Sequence, residues 1–106
     1  MALHTINLPI DSPNIQVCIE QLGQGDAVIF LAKGLDTCTV DSPYSETIKA
    51  LQNSKSISFY CLLDQGSGLE ENQQPTEIAV IENVGIINYK QFVHLTVEHD
   101  KTISWF

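Results

Sequence analysis

The chain has 106 residues, 43% of them hydrophobic and 17% charged, a balance that fits one globular domain over residues 1–106 rather than a disordered segment. Thirteen Asp and Glu against five Lys and Arg leave a net charge of −8, which argues against a direct nucleic-acid or membrane surface, since both need clustered cations. Met1 to Thr5 has no basic n-region, no stretch approaches a transmembrane length, and three Cys without CxxC or metal-ligand spacing fit a reduced, cytoplasmic protein with no metal site.

Ala2 to Asn7 reads as a first strand, and Leu8-Pro9-Ile10-Asp11 as a turn. Ser12 is a good N-cap, and Pro13 sits at the first helical position, where its missing N–H costs nothing. Ile15, Cys18, Ile19 and Leu22 then fall at i, i+3, i+4, i+7, the apolar stripe of a helix that Gly23 and Gly25 stop. Asp26 to Ala32 is an apolar run without alternation, which suggests a strand covered on both faces, ended by Lys33-Gly34. Leu35 to Asp41 reads as a loop or short irregular helix carrying Cys38. Ser42-Pro43 repeats the cap pairing, and Tyr44, Ile48 and Leu51 give a second helix its stripe, ending near Asn53.

Ser56 to Leu63 reads as a third strand. Asp64 to Glu77 is polar and Gly/Pro-containing, a surface excursion with a turn of helix around Leu69-Glu70-Glu71. Residues 77–81 fit either a strand or a short helix, and Val84 to Asn88 is a better strand. Tyr89 to Glu98 reads as a helix with Tyr89, Phe92, Val93 and Thr96 on one face, and Thr102 to Phe106 as a last strand. Strands alternating with helices predict an α/β fold, a parallel or mostly parallel sheet with helices on both faces.

In such sheets sites gather at the carboxyl ends of the strands. No glycine follows the first strand, so a Gly-rich nucleotide site is disfavoured, and no GxSxG, HExxH or P-loop is present. No cofactor is expected. His94 and His99 are five apart and do not share a helix face, and His4 reads as a packed or hydrogen-bonded histidine. Glu70-Glu71 reads as a solvated face, and Glu98 and Asp100 as a helix end. Three thiols remain. Cys61 lies mid-strand and reads as core, since free Cys is among the most buried residue types. Cys38, in a loop, is expected to be the most accessible. Cys18 sits on the apolar stripe, with no cation nearby in sequence to lower its pKa.

Several stretches together resemble the TusB/DsrH family of sulfur-relay proteins (DsrEFH-like superfamily). They are Leu3-His4-Thr5, Gly25-Asp26-Ala27-Val28 with Gly34 closing the second strand, and the run from Ile87 to His99 followed by Trp105-Phe106. The resemblance covers nearly the whole chain. It departs at residues 70–83, which run longer than usual. It implies a three-layer α/β/α domain, flavodoxin-like in outline, with a mainly parallel five-stranded sheet. It also implies a hetero-oligomer with sister subunits of the TusD/DsrE and TusC/DsrF type, typically a dimer of heterotrimers, that takes persulfide sulfur from a donor and hands it to an acceptor carrier. In the TusB branch the sulfur ends as 2-thiouridine at the tRNA wobble position. In the DsrH branch the complex serves cytoplasmic oxidation of stored sulfur, and a cysteine in the first helix commonly lies seven residues before the glycine preceding the second strand. Cys18 and Gly25 match that spacing, whereas TusB-type members often have an apolar residue there. Cys38 and Cys61 match no family motif.

The resemblance leaves two roles in competition. Cys18 is a persulfide carrier, or the chain is a non-catalytic scaffold subunit with Cys18 in its core. An unrelated flavodoxin-like ligand-binding module is a third reading, and the missing phosphate loop counts against it. On either relay reading the chain alone is expected to self-associate.

Overall fold

The computed structural model describes residues 2–62 and 80–105. Its elements are strands β1 (Ala2–Ile6), β2 (Ala27–Phe30), β3 (Ser58–Leu62), β4 (Gly85–Ile87) and β5 (Lys101–Trp105), with helices α1 (Pro13–Gln21), α2 (Ser45–Ser54) and α3 (Tyr89–Glu98). A 3-10 helix spans Ala32–Cys38. The strands form one sheet in the order β4-β3-β2-β1-β5, and every neighbouring pair is parallel. The expected turn of helix at 69–71 and the start of 77–81 lie outside the described residues.

The apolar run in β2 has the cause inferred from its lack of alternation. All four of its residues are buried, Val28 and Phe30 on one face and Ala27 and Ile29 on the other. The first face carries α1, α2 and the 3-10 helix, through Ile15, Cys18, Leu22, Cys38 and Ile48. The second carries α3, whose Phe92 and Leu95 pack against Leu3, Ile29 and Ile87. The sheet is therefore the middle of three layers, as the resemblance implied.

Ser12 caps α1 by accepting from the Asn14 amide at 3.2 Å, and Ile15 and Cys18 face the core. The helix does not end on a left-handed glycine. Leu22 closes it in an extended conformation (φ −69°, ψ 133°), because its side chain is drawn into the core at 3% exposure. Gly25, at φ 81°, supplies the turn that follows.

The second helix begins later than its Ser-Pro pair suggested. The Ser42 hydroxyl accepts from the Tyr44 amide at 3.0 Å, and the Ser42 carbonyl accepts from the Ser45 amide at 3.1 Å, so Ser42-Pro43 forms a turn ahead of α2. The Tyr44, Ile48, Leu51 stripe is kept. Asn88 and Gln91 form a reciprocal capping box at the start of α3, at 2.8 and 2.9 Å. The face of α3 differs from the expected one: Phe92 and Leu95 meet the sheet, while Tyr89 and Val93 are exposed. Periodicity in a helix with apolar residues on two sides does not say which side the sheet takes.

Candidate functional site

The three cysteines are free thiols, each 0% exposed. Cys18 sits where α1 presses on the sheet, among the cluster that includes Ile6, Val28 and Phe30. Burial alone pushes its thiol up to about 12, and no cation or hydrogen-bond donor offsets that.

Cys38 is not the accessible thiol that a loop position suggested. The 3-10 helix turns it inward, where its Sγ donates to the Leu35 carbonyl at 3.1 Å. Cys61 reaches the same buried cluster from β3, where the two thiols influence each other's ionisation. That influence, followed by burial, holds Cys38 well above the ordinary thiol range. Sequence reading placed Cys61 in the core correctly but gave no sign that Cys38 would join it. The link is long-range: the Ile81 amide donates to the Cys38 carbonyl at 2.9 Å, and Thr39 bridges Val80.

A second cluster joins β1, β2 and β5. His4, Ile6, Ile103 and Trp105 point to one face by parity, because His4 pairs with Ile103 and Ile6 with Trp105. The Asp26 carboxylate, at the start of β2, accepts from the Ala2 amide at 2.9 Å, the Gly23 amide at 2.9 Å and His4 Nε2 at 3.3 Å. The other imidazole nitrogen, Nδ1, accepts from the Trp105 indole N–H at 3.1 Å. Indole is a donor only and an ionised carboxylate an acceptor only, so His4 is the neutral tautomer with its proton on Nε2. Burial raises the Asp26 pKa, but the amides of Ala2 and Gly23 and then His4 outweigh it, and the net shift is downward.

Asp26 and His4 open onto a cleft of about 360 Å³ that Gln21, Lys101 and Ile103 help to line. It lies at the amino ends of the strands, away from the carboxyl ends where sites in such sheets usually gather. No thiol lines the cleft, and His4 has both nitrogens engaged, so the cluster joins three strands rather than activating a nucleophile. The expected hydrogen-bonded role of His4 is correct. Its partners were missed, though a His inside an otherwise apolar strand signals a buried polar partner.

At the other histidine-bearing element, His94 Nε2 meets Glu98 at 2.9 Å one turn along α3. His99 Nδ1 pairs with the Leu95 carbonyl at 2.8 Å. Among the described residues, no three His, Cys, Asp or Glu are grouped to hold a metal ion, and no helix is long and apolar enough to cross a membrane.

The comparisons with known proteins agree with this architecture. The chain is 26% identical to Protein TusB of Klebsiella pneumoniae subsp. pneumoniae over 103 residues, covering 97% of this chain and 99% of that protein. It is 27% identical to Protein TusB of Pectobacterium atrosepticum with the same coverage. The fold is similar to that of a protein of unknown function from Methanobacterium thermoautotrophicum, with a TM-score of 0.66, 15% identity, and 97% and 96% of the two chains covered. A family model described as DsrH like protein matches residues 9–102, and on that match the chain belongs to the DsrH-like family.

Proposed function

We propose that this chain is a small cytoplasmic subunit of a heteromeric persulfide relay of the TusB kind, and that its part there is assembly rather than sulfur carriage. The relay feeds 2-thiolation of the tRNA wobble uridine. The observation that carries this reading is similarity to TusB proteins along nearly the whole chain, beside a family match over residues 9–102. The assembly role follows from the thiols: each is fully buried, and Cys18, pushed up to about 12, holds almost no thiolate at neutral pH. Its partners are the sister subunits of the TusD/DsrE and TusC/DsrF type, and the sulfur donor and acceptor proteins act on those subunits.

The spacing of Cys18 to Gly25 favours a second reading, that of a DsrH-like carrier in oxidation of stored sulfur. In that chemistry the Cys18 thiolate attacks the outer sulfur of a donor persulfide. The donor's S–S bond breaks, the donor leaves as a thiolate, and Cys18 becomes the persulfide. The step needs α1 to lift from the sheet, since Cys18 lies beneath it.

The test is persulfide loading of the reconstituted complex, read by mass spectrometry on wild type and Cys18→Ala, with wobble-uridine thiolation measured in a strain carrying each form. The assembly reading expects loss of 2-thiouridine without the chain and its recovery with Cys18→Ala. Sulfur gained on Cys18, with no recovery by a folded Cys18→Ala subunit, overturns assembly in favour of carriage.

A further inference from the structure

The contact between His4 and Trp105 depends on the charge of the imidazole. The indole N–H donates to His4 Nδ1 at 3.1 Å, and the ring centroids lie 6.4 Å apart at 25°. His4 Nε2 faces the Asp26 carboxylate at 3.3 Å, and the imidazole is 3% exposed. The neutral ring serves both partners. An imidazolium donates from both nitrogens, and the indole N–H has no acceptor to offer. A proton on Nδ1 would therefore face the indole N–H, donor against donor. The same proton turns the contact with Asp26 into an ion pair, which is stronger than the neutral hydrogen bond.

The groups around the ring favour that exchange. From β2 comes Asp26, whose carboxyl sits below its usual range, so the counter-charge is in place. From β5 comes Lys101, which lines the shared cleft, with the oppositely charged Asp100 just before it. From α1 come uncharged Gln21 at the cleft and the Cys18 thiol, held protonated, in the cluster on which Trp105 packs. Leu3 and Thr5, on either side of His4 in β1, carry no charge. Asp26 touches the ring, whereas Lys101 only shares the cleft, so the nearest charge welcomes a proton on His4.

Trp105 is also free to leave without dismantling the sheet. It is half-buried and closes β5, an edge strand that pairs with β1. Its backbone stays tied by the Asn7 amide, which donates to the Trp105 carbonyl at 2.8 Å.

We propose that His4 and Trp105 form a proton-operated latch: the neutral imidazole holds the indole of the last strand against the core, and a proton bound at His4 Nδ1 releases it while Asp26 keeps the imidazole in place. The latch is independent of the assembly reading.

Trp105 is the chain's one tryptophan, so its emission and its indole N–H resonance report the latch directly. Long-range proton–nitrogen spectra and emission of the full chain are followed from about pH 8 to about pH 5, with circular dichroism as the check on folding. At the upper end His4 carries its proton on Nε2 and the indole N–H is shielded from solvent. At the lower end His4 carries two protons, the indole N–H exchanges at least about tenfold faster, and emission moves to longer wavelength with the same midpoint. The dichroism spectrum is unchanged throughout. Asp26→Asn, without the counter-charge, moves that midpoint down by about one pH unit or more. His4→Gln, which keeps an acceptor for the indole and does not titrate, abolishes the transition. An indole unchanged across the range in wild type overturns the proposal. So does a His4 proton on Nδ1 at the upper end, an indole released only as the dichroism spectrum is lost, or a transition that persists in His4→Gln.

Discussion

His4 and Asp26 stand 22 residues apart in the chain and meet at 3.3 Å, with the imidazole 3% and the carboxylate 11% exposed. Asp26 carries the larger share of the junction, because it also accepts both the Ala2 and the Gly23 amides. The carboxylate thus fixes where β1 starts, where α1 ends and how β2 enters the sheet.

A carboxylate held by three donors gives the fold an acid-sensitive element. The Asp26 pKa is lower in the folded chain than in the unfolded one, where it is near 3.8. The unfolded state therefore binds the proton first as pH falls. Asp26 contributes its full stabilisation above about pH 5, and the contribution drains away below pH 4 as the folded group titrates. Asp26→Asn removes the charge-assisted part of the hydrogen bonds and costs about 2 kcal/mol at pH 7. Urea midpoints from pH 7 down to pH 3 check this: the gap between wild type and Asp26→Asn narrows towards pH 3.

Trp105 closes the same chain of hydrogen bonds from the far edge of the sheet. Trp105→Phe keeps an aromatic ring beside His4 but removes the indole N–H, leaving His4 Nδ1 a buried acceptor without a partner. The expected loss is about 1–2 kcal/mol. Combined with Asp26→Asn, the two losses are non-additive by about 0.5 kcal/mol or more, because both act through one imidazole. Chemical denaturation of the two single variants and the double variant measures that coupling.

What the sequence revealed and what it hid divide along range. The strands, the α1 stripe and the double-faced burial of β2 are written in local periodicity, and each was legible. The end of α1 was legible too, since the helix stops at Gln21 with Leu22 as its C-cap just before Gly23, although the cap is extended rather than a left-handed glycine. Cys38 was misread, because nothing within a few residues reports that residues 80–81 cover the 3-10 helix. At Cys18 the sequence placed the thiol on the core-facing stripe, and the fold adds the electrostatic consequence. The His4–Asp26–Trp105 cluster was only half visible, since its members span 101 residues between His4 and Trp105.

Gly34 has a purely steric role. A Cβ there would lie 2.3 Å from the Ile6 carbonyl oxygen, which also accepts from the Leu31 amide at 3.0 Å. Backbone cannot step aside as a flexible side chain would, so the junction of β1, β2 and the 3-10 helix must shift. Gly34→Ala is expected to cost about 2–3 kcal/mol despite its small size. A lowered melting temperature checks this. At Gly23, where the nearest atom to an added Cβ is 3.6 Å away, the same substitution is expected to cost far less.

The pH dependence of Cys18 alkylation distinguishes a thiol that reacts where it lies from one that reacts only when its helix opens. With the thiol pushed up to about 12, reaction in place gains about tenfold in rate for each pH unit through pH 10 and shows no plateau near 9. Reaction through opening follows the thiol of the opened chain, so the rate levels off near pH 9, at a height set by how often α1 lifts. Because Cys18 is 0% exposed and iodoacetamide cannot reach it from outside, the plateau form is expected. Peptide-level mass spectrometry separates Cys18 from Cys38 and Cys61 in a single experiment. Adding the sister subunits then decides the relay question physically: a subunit that serves assembly leaves α1 shut or tightens it, and labelling of Cys18 slows. A carrier must be opened by the partner it serves, and labelling accelerates.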